Sequence, residues 1–386
     1  MTSASTAPAA QTLGHVWSAP GRVNLIGEHT DYNGGLVLPL AIDRRTTCTM
    51  TPRDDRILRV SSEAATGAAV QISIDDLSPD AVTGWSAYAL GVAWALQELG
   101  ADLSTVTGFD ISLDSDVPIG AGLSSSAAIE CAVAVALNEL WSLGFTPMEL
   151  ARAGRLAENS AVGAPTGIMD QAASMLGELD HAVFLDCTTE VALTVPLHLK
   201  ENDLALLIVD TRVEHAHATG GYAERRASCE KGAAAMDVTL LSELSVDDLP
   251  ILRERVDEET FRRVRHVLTE NQRVADTVDV LRDKGPLAIG ELLCASHASM
   301  RDDFGISVPQ MDLAVETAMA NRAIGARLTG GGFGGSMVAL VHQADVEPIS
   351  AAIASAFAAA GYGEPQSFTV HAAPGAHRDD AAATKA

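Results

Sequence analysis

The chain has 386 residues, 51 of them acidic and 26 basic, and carries a formal net charge of −25. Such an acidic surface repels the phosphate backbone of nucleic acids and anionic lipids, so we expect neither as a partner. The composition, 47% hydrophobic and 20% charged, is that of a soluble globular enzyme. The length exceeds one ordinary core and predicts two domains.

The first residues of the chain and its cysteines give an indication of the cellular compartment. Residues 1–12 are rich in Ala, Ser and Thr and lack the charged and apolar regions of a leader, and no apolar run is long enough to span a bilayer. The cysteines are dispersed without a Cys-x-x-Cys pair, which favours reduced thiols over a disulfide framework or a zinc site. We expect a cytoplasmic protein with no membrane anchor, acting as a monomer without a protein partner.

The first half of the chain alternates strand-like and helix-like segments. After a disordered start over 1–14, we predict one domain over 15–200. Short apolar or alternating runs predict strands, and longer Ala-rich or amphipathic segments predict helices. The strands are predicted at 36–42, 46–50, 57–60, 70–74, 109–113, 182–185 and 191–195, and the helices at 86–99, 127–140 and 148–161.

The second half is predicted to form another α+β domain over 201–375, followed by a disordered tail over 376–386. It opens with a continuous apolar strand, 204–209, and long polar helices follow. The helices are predicted at 221–236, 258–281 and 349–360, with another ending near 323, and the later strands at 326–328, 336–341 and 367–371. The strands at 326–328 and 336–341 flank a glycine-rich loop as the arms of a β-hairpin would.

A glycine- and hydroxyl-rich loop stands between the predicted strand 109–113 and the helix that follows it. Its residues are Gly120, Ala121, Gly122, Leu123, Ser124, Ser125 and Ser126. A strand, a glycine loop and a helix start form an anion-binding arrangement, because glycines let the backbone approach and the helix dipole favours phosphate. A plain loop with a serine N-cap is about equally favoured. Three serines exceed the need of one cap, however, and leave hydroxyls for phosphate or Mg2+.

Two further segments suggest that this loop belongs to a nucleotide site. A second glycine loop covers residues 330–335, and an isolated Met169-Asp170-Gln171 lies between the two loops. The first loop contains no lysine and is not a Walker A motif. Charge neutralisation must then come from Mg2+, the helix N-terminus and a remote Arg or Lys, the more so because the acidic chain repels nucleotides at long range.

Several polar residues have both a chemical and an ordinary interpretation. The run Glu28-His29-Thr30-Asp31 could present two carboxylates and an imidazole to a small polyol, or be an exposed turn. Asp170 could be a helix N-cap or first-turn acid. Glu158 could form an i,i+3 ion pair with Arg155, and Arg22 could be a surface charge.

The combination of these motifs resembles a known family. The stretch from Pro20 to Asn33, PGRVNLIGEHTDYN, is similar to the galactokinase signature, and 118–128, PIGAGLSSSAA, resembles the ATP motif of the wider GHMP small-molecule kinases. The segment 328–335, LTGGGFGG, looks like the third motif of that superfamily. The resemblance extends from about residue 17 to 341 and includes 167–171 and 296–304.

The resemblance implies a role for each matching residue. Asp170 matches the acid that receives the proton of the sugar's anomeric hydroxyl, and Arg22 matches the residue beside it that contacts the phosphoryl group. Sugar contacts are implied for Glu28, His29, Thr30, Asp31 and Tyr222. Nucleotide contacts are implied for 120–126 and, weakly, for Ser61, and Mg2+ ligation for Ser126 and Glu158.

The resemblance also implies an α+β fold of two domains with the site in the cleft between them, the second domain being ferredoxin-like. The implied activity is ATP-dependent phosphorylation of galactose at its anomeric hydroxyl, in galactose catabolism. Other sugar 1-kinases, including N-acetylgalactosamine kinases, remain alternatives, as does a non-catalytic galactose and ATP sensor, which the complete phosphate loop disfavours. Mevalonate-type activity is disfavoured by the polyol-binding segment 28–31.

Overall fold

The computed structural model describes residues 15–65, 67–213 and 218–379. The disordered start predicted over 1–14 lies outside the described residues. The strands are β1 His15–Asn24, β2 Leu36–Val37, β3 Pro39–Pro52, β4 Ile57–Ser62, β5 Val70–Ser73, β6 Phe109–Ser115, β7 His181–Asp186, β8 Val191–Pro196, β9 Leu204–Asp210, β10 Gly325–Thr329, β11 Ser336–His342, β12 Gln366–Val370 and β13 His377–Arg378.

The α-helices are α1 Ala87–Glu98, α2 Ser125–Leu140, α3 Pro147–Ala157, α4 Met169–Leu176, α5 Ala218–Ala235, α6 Leu249–Arg255, α7 Glu258–Lys284, α8 Gly290–Ser299, α9 Pro309–Ala320 and α10 Val346–Ala360. The helix predicted over 148–161 ends as an α-helix at Ala157 and continues as one π-helical turn, Glu158–Val162. No helix among the described residues is both long and apolar enough to cross a membrane.

Five strands of the first half and the C-terminal strand β13 build a six-stranded sheet in the order β13-β1-β3-β6-β4-β5. Strand β6 alternates as predicted, because Phe109, Ile111 and Leu113 are buried while the residues between them are more exposed. Helix α2 packs on this sheet through a face of small residues, including Ala132 and Ala136, which are fully buried. The predicted order of strand, loop and helix around 120–126 is therefore confirmed.

The second half builds a four-stranded antiparallel sheet in the order β10-β11-β9-β12. Strands β10 and β11 pair as the predicted hairpin around the second glycine loop. Strand β9 is a continuous apolar run because both of its faces are covered: Leu207 and Val209 pack in the core of the second half, while Leu206 and Ile208 face the first half.

A shared apolar core joins the two halves. It combines residues of β1 and β3, such as Val23 and Leu40, with residues of β9 and β11, such as Ile208 and Leu340. Each of these four side chains is at most 1% exposed. The halves are thus packed directly against one another, and the predicted boundary near residue 200 stays a prediction.

The C-terminal segment corrects one expectation. We predicted a disordered tail over 376–386, but β13, His377–Arg378, pairs antiparallel with β1 at the edge of the first sheet. Arg378 also hydrogen-bonds Glu139, 2.5 Å away, and Asp379 accepts from Ser18 at 2.8 Å. The prediction is wrong for residues 376–379 because these polar contacts hold a strand too short to show an apolar pattern.

Candidate active site

The first glycine loop lies directly against β1. The peptide N–H of Arg22 donates to the carbonyl of Leu123 at 3.0 Å, and a Cβ added at Gly21 would lie 2.6 Å from the same oxygen. The register between β1 and β3 shifts between Pro20 and Arg22. At this point Arg22 of β1 bonds to the first glycine loop. Only a glycine at position 21 allows this approach, which directs the Arg22 side chain toward the centre of the molecule.

Asp170 is the acceptor at the centre of the site. It stands in the first turn of α4, and its carboxylate accepts two hydrogen bonds from Arg22, from Nε at 2.7 Å and from Nη2 at 2.8 Å. The remaining Arg22 nitrogen, Nη1, donates to the carbonyl of Gly122 at 2.6 Å. Arg22 is 5% exposed. The arginine is therefore a buried partner of both the carboxylate and the loop, and the alternative of a surface charge is wrong.

The hydroxyl of Ser124 decides between the two interpretations of the serines. Ser124 occupies the N-cap position of α2 with φ of 58°, yet its side chain makes no capping hydrogen bond. Its hydroxyl instead donates to Asp170 Oδ2. The loop thus supplies a donor to the carboxylate, and the interpretation of a plain loop with a serine cap is wrong at this residue.

The two glycine loops, far apart in sequence, meet at this point. The hydroxyl of Ser336 donates to the carbonyl of Ala121 at 2.6 Å, and a Cβ at Gly330 would lie 3.2 Å from the carbonyl of Gly122. Gly330 has φ of 92° and Gly332 has φ of 84°, which a side chain would strain. The second loop therefore supports the first.

Glu28 joins the polar segment of the first half to the hairpin of the second. Its Oε1 accepts the N–H of Gly330 at 3.0 Å, and its other oxygen pairs with the guanidinium of Arg327. Burial raises the pKa of Glu28, and the charge of Arg327 opposes that rise. Arg327 also donates to the carbonyls of Asn24 and Leu25. Glu28 lines the pocket while both of its oxygens are fixed.

His29 and Asp31 occupy the same pocket wall. His29 Nε2 lies 3.2 Å from the carbonyl of Gly331 and Nδ1 lies 3.0 Å from the hydroxyl of Tyr32. Because a carbonyl only accepts, Nε2 carries the proton, and Nδ1 accepts from Tyr32. Burial lowers the pKa of His29 to about 3, so the ring is neutral. Burial, and next the nearby charge of Asp170, raise the pKa of Asp31 to about 6.

These side chains enclose a cavity of about 150 Å³. The ring of Tyr222 closes one side, with its centroid 5.2 Å from that of His29. The lining residues are Arg22, Glu28, His29, Asp31, Thr166, Gly167, Met169, Asp170, Tyr222, Gly330 and Gly331. A donor-rich and acceptor-rich cavity of this size fits one small polyol beside the Asp170 carboxylate.

Glu158 and Ser126 lie at the loop side of Asp170. Glu158 is 6% exposed, and its Oε2 accepts from Thr166 at 2.9 Å and from Gln171 at 2.8 Å. Burial, and then the charge of Asp170, raise its pKa, while a hydrogen bond from Ser126 lowers it. The predicted ion pair of Glu158 with Arg155 is wrong, since Arg155 faces Glu190 at 4.0 Å.

The donor set fits a divalent cation that shares its ligands with phosphate. Two oxygen donors, one of them a carboxylate, suit Mg2+, which is usually bound by one or two carboxylates and by substrate phosphates. Among the residues that the structure describes, no group of three or more His, Cys, Asp or Glu forms a metal cluster. The protein alone therefore does not form a complete cage.

The structure places two predicted site residues elsewhere. Thr30 is fully buried, and its hydroxyl donates to the carbonyls of Gly27 at 2.8 Å and Leu36 at 2.7 Å. It holds the turn and is not among the residues that line the cavity, and its sugar contact stays a prediction. Ser61 is exposed on β4, with its hydroxyl 3.3 Å from the carbonyl of Ile111. Its nucleotide contact stays a prediction.

Other residues of the site were not found from the sequence. Thr166 lines the cavity, and Arg327 fixes Glu28. Gly167 and Gly331 also line the cavity, and the sequence had indicated them only as members of the segments 167–171 and 330–335. Arg327 did carry a signal, because it is a charged residue inside the otherwise apolar strand β10 and is fully buried there. A lone charge in a buried strand requires a charged or carbonyl partner.

Comparisons with known proteins agree with this geometry. Residues 87–178 match the family of GHMP kinase N-terminal domains, and 266–359 match the GHMP kinase C-terminal domains. Residues 7–52 match the galactokinase galactose-binding signature. A mevalonate kinase of Methanococcus jannaschii shares the fold, with a TM-score of 0.65 at 18% identity over 94% of this chain and 99% of that one. The chain therefore has the GHMP kinase fold, an α+β architecture, as predicted.

Closer relatives define the family within that fold. The chain is 49% identical to a galactokinase of Streptomyces coelicolor, over 94% of each chain, and 45% identical to one of Mycobacterium tuberculosis, over 93% of this chain and 98% of the relative. The structure of a Lactococcus lactis galactokinase complexed with galactose superposes with a TM-score of 0.89 at 33% identity, covering 95% of each chain. The chain belongs to the galactokinase family and is an ATP-dependent sugar kinase.

Proposed function

We propose that this chain transfers the γ-phosphoryl group of ATP to the anomeric hydroxyl of galactose, giving galactose 1-phosphate and ADP, with Asp170 accepting the hydroxyl proton. The observation that carries the proposal is the Asp170 carboxylate, which lies between the polyol-sized cavity and the phosphate loop and accepts from Arg22 at 2.7 and 2.8 Å. Membership of the galactokinase family supports galactose as the sugar.

The chemistry asks mainly for positioning and charge stabilisation, because phosphoryl transfer passes through a loose transition state. In the proposed reaction, the anomeric oxygen forms a bond to the γ-phosphorus while the bond to the leaving ADP oxygen breaks. The proton of that hydroxyl passes to Asp170. An ordinary carboxylate is a weak base toward a sugar hydroxyl, so the transfer occurs late, once the new bond has acidified the hydroxyl.

Arg22 serves the phosphoryl group and the carboxylate together. Its guanidinium is held by Asp170 and by the carbonyl of Gly122, so its charge is fixed at the border between loop and cavity. A fixed charge in a site that excludes water stabilises the charge that develops on the transferring oxygens. Because Arg22 is paired with the Asp170 carboxylate, its charge does not by itself offset the repulsion of ATP by a chain of net charge −25, and the cation proposed below serves that purpose.

Mg2+ completes the proposed site, with Ser126 and Glu158 as its protein ligands. Bound with ATP, Mg2+ neutralises charge on the phosphate oxygens. The support is the closeness of the Ser126 hydroxyl to Glu158, together with the burial of that carboxylate near Asp170. Loss of activity on adding excess chelator, and its return on adding Mg2+, would test this part.

Sugar recognition is proposed for Glu28, His29, Asp31 and Tyr222. The two carboxylates accept hydrogen bonds from hydroxyl groups, and the neutral imidazole presents an apolar ring edge beside Tyr222. The cytoplasmic location and monomeric state expected from the sequence stay predictions, and gel filtration of the purified protein tests the second.

The deciding experiment measures ADP formation by purified protein with Mg-ATP and a panel of galactose, N-acetylgalactosamine, glucose, arabinose and mevalonate. We expect turnover with galactose well above that with any other panel member. Faster turnover with another sugar would overturn the substrate assignment. If calorimetry detects galactose binding and no ADP is formed, the proposed catalytic activity would be wrong, and the alternative of a non-catalytic sensor would be supported.

A further inference from the structure

One side of the sugar cavity is formed by helix α5, in the second half of the chain, and another side by the loop 163–168, in the first half. Tyr222, at the start of α5, lines the cavity, and so do Thr166 and Gly167 of the loop. The width of the cavity between these sides depends on how α5 is held relative to the loop.

Most anchors of α5 attach it to the second half. Arg225 donates to the carbonyls of Phe304 at 3.0 Å and Gly305 at 2.6 Å. Gly221 packs so closely on the Phe333 ring that an added Cβ would lie 2.4 Å from it. These contacts fix the helix within its own half and do not themselves reach the loop 163–168.

Arg226 reaches across to that loop. Its Nη1 donates to the carbonyl of Pro165 at 2.9 Å, and Pro165 directly precedes the lining residue Thr166. The guanidinium is itself fixed, because Nε donates to Glu230 at 3.1 Å and its plane lies over the Tyr32 ring at 5.7 Å. Arg226 follows Tyr222 by four residues, so the two side chains project from the same face of α5.

The loop end of this contact is equally fixed. The N–H of Thr166 donates to Asn159 Oδ1 at 3.0 Å, and the Thr166 hydroxyl donates to Glu158 at 2.9 Å. A hydrogen bond from Arg226 to the neighbouring carbonyl therefore links two rigid bodies, not two mobile side chains. An ordinary i,i+4 surface pair of Arg226 with Glu230 would contribute only about 0.3–0.5 kcal/mol and would not affect the cavity.

We propose that Arg226 is a positioning residue for the sugar: by holding the carbonyl of Pro165, it sets the separation between Tyr222 and the loop 163–168, and so determines sugar affinity without touching the sugar. The proposal rests on the proposed function, since it takes the cavity to be the sugar site. Arg226 should affect the affinity for the sugar more than that for ATP, because its contact borders the cavity, whereas it reaches the proposed Mg2+ ligand Glu158 through Thr166.

The test compares steady-state kinetics of Arg226→Gln with those of two controls. Arg226→Gln should raise the KM for galactose about ten-fold, a loss of about 1.4 kcal/mol of binding free energy, while the KM for ATP and kcat should each stay within about two-fold of the original chain. The KM for galactose of Arg226→Lys, which keeps a hydrogen-bond donor, should lie between those of the original chain and of Arg226→Gln. Glu230→Gln removes the ion pair with Arg226 but leaves the carbonyl contact, and Lys231→Gln, also on α5, removes an ion pair with Asp257, the N-cap residue of α7. Both should keep the original KM for galactose.

A second comparison asks whether Arg226 acts through Tyr222. In a Tyr222→Ala background, Arg226→Gln should raise the KM for galactose less than two-fold, since no ring remains to be positioned. Full additivity in this cycle, or an unchanged KM in the single variant, would overturn the proposal. So would equal rises in the KM for galactose and for ATP with a lower unfolding temperature, since these indicate general structural support.

Failure of the proposed function is distinguishable from failure of this inference. If the original chain forms no ADP from galactose, the function fails, and calorimetric titration with galactose still reports the affinity of the cavity. A weaker galactose affinity in Arg226→Gln than in Glu230→Gln would then support the inference, and equal affinities would refute it.

Discussion

The guanidinium of Arg22 and the carboxylate of Asp170 form a two-point ion pair between β1 and α4, with hydrogen bonds of 2.7 and 2.8 Å. Paired in this way, the carboxylate has a fixed orientation toward the cavity, and charge-assisted, bidentate bonds are the geometrically most specific kind. The same arginine holds the phosphate loop through Gly122. A single buried side chain thus fixes the position of the proposed proton acceptor relative to the proposed phosphate loop.

The first prediction concerns Asp170→Asn. The amide is nearly the same size as the carboxylate but does not accept the hydroxyl proton, so kcat should fall about 1000-fold, within the range for loss of acid–base catalysis. The dissociation constant for galactose should change less than about three-fold, because Glu28, His29 and Asp31 remain. ADP formation measures the first quantity and calorimetry the second. Substantial turnover in this variant would contradict the role of Asp170.

Ser124 gives a second prediction, because its hydroxyl contacts Asp170 and does not cap α2. Ser124→Ala and Ser124→Gly should both lower kcat about ten-fold, a loss of roughly 1.4 kcal/mol in transition-state stabilisation. Their stabilities should differ. At φ of 58°, glycine is unstrained while alanine is strained, so the glycine variant should be more stable by about 1 kcal/mol.

Thermal unfolding and ADP formation, measured on both Ser124 variants, separate the two effects. Equal stability of the two variants would show that the backbone at Ser124 is not strained. Unchanged kcat in both would show that the hydroxyl does not assist Asp170. Ser125→Ala, which leaves the contact with Asp170 in place, reports what loss of another hydroxyl from the same loop does.

The sequence predicted those parts of the site whose signal is local. The first glycine loop was recognisable because a strand, glycines, serines and a helix follow one another within a short segment. Asp170 stood out as an acid at the start of a helix, and both were placed correctly. A local signal was also misleading at Ser124, which has the residue type and position of an N-cap but whose hydroxyl donates to Asp170 on α4.

The contacts that were missed join distant parts of the chain. Glu28 and Arg327 are 299 residues apart, and no periodicity in either segment reports on the other. The return of β13 to β1 was missed for the same reason, since a two-residue strand has no pattern and is held by contacts such as that of Arg378 with Glu139. The sequence alone therefore does not show which charged residues become buried when the two halves pack together.

Gly167 gives a third prediction from close packing. A Cβ at this position would lie 1.9 Å from Asp31 Oδ2, which is far inside van der Waals contact. Gly167→Ala should displace Asp31 by about 1 Å and raise the KM for galactose about 100-fold, as misplacements of this size do. Gly220→Ala is the matched control, since its Cβ would meet nothing within 4 Å. An unchanged KM in Gly167→Ala would mean that Asp31 does not contact the sugar.

The pKa of Asp31 gives a fourth prediction, on the pH dependence of sugar binding. Burial and the charge of Asp170 raise this pKa to about 6, while Arg22 and the N–H of Tyr32 oppose the rise. The ionised carboxylate accepts hydroxyl hydrogen bonds best, so galactose affinity should weaken as the pH falls through about 6. Calorimetric titration between pH 5 and 8 measures this. A constant affinity in Asp31→Asn would assign the dependence to Asp31.

The same shift makes Asp31 a source of instability. Its folded pKa, about 6, exceeds the ordinary value of 3.8, so between these values the native state keeps a proton that the unfolded chain has released. Stability from the protonated form is complete below about pH 4 and is lost as the pH rises through 6.

Asp31→Asn removes this ionisation and should therefore raise the free energy of unfolding by about 3 kcal/mol at pH 8, with little change at pH 4. Denaturant unfolding at the two pH values measures the difference, and the same variant should bind galactose about 100-fold more weakly if two hydroxyl contacts are lost. A variant that loses both binding and stability at pH 8 would contradict the prediction, because Asp31 would then support the fold. If the variant gains stability and loses binding, the buried Asp31 carboxylate lowers the free energy of unfolding and contributes to sugar binding.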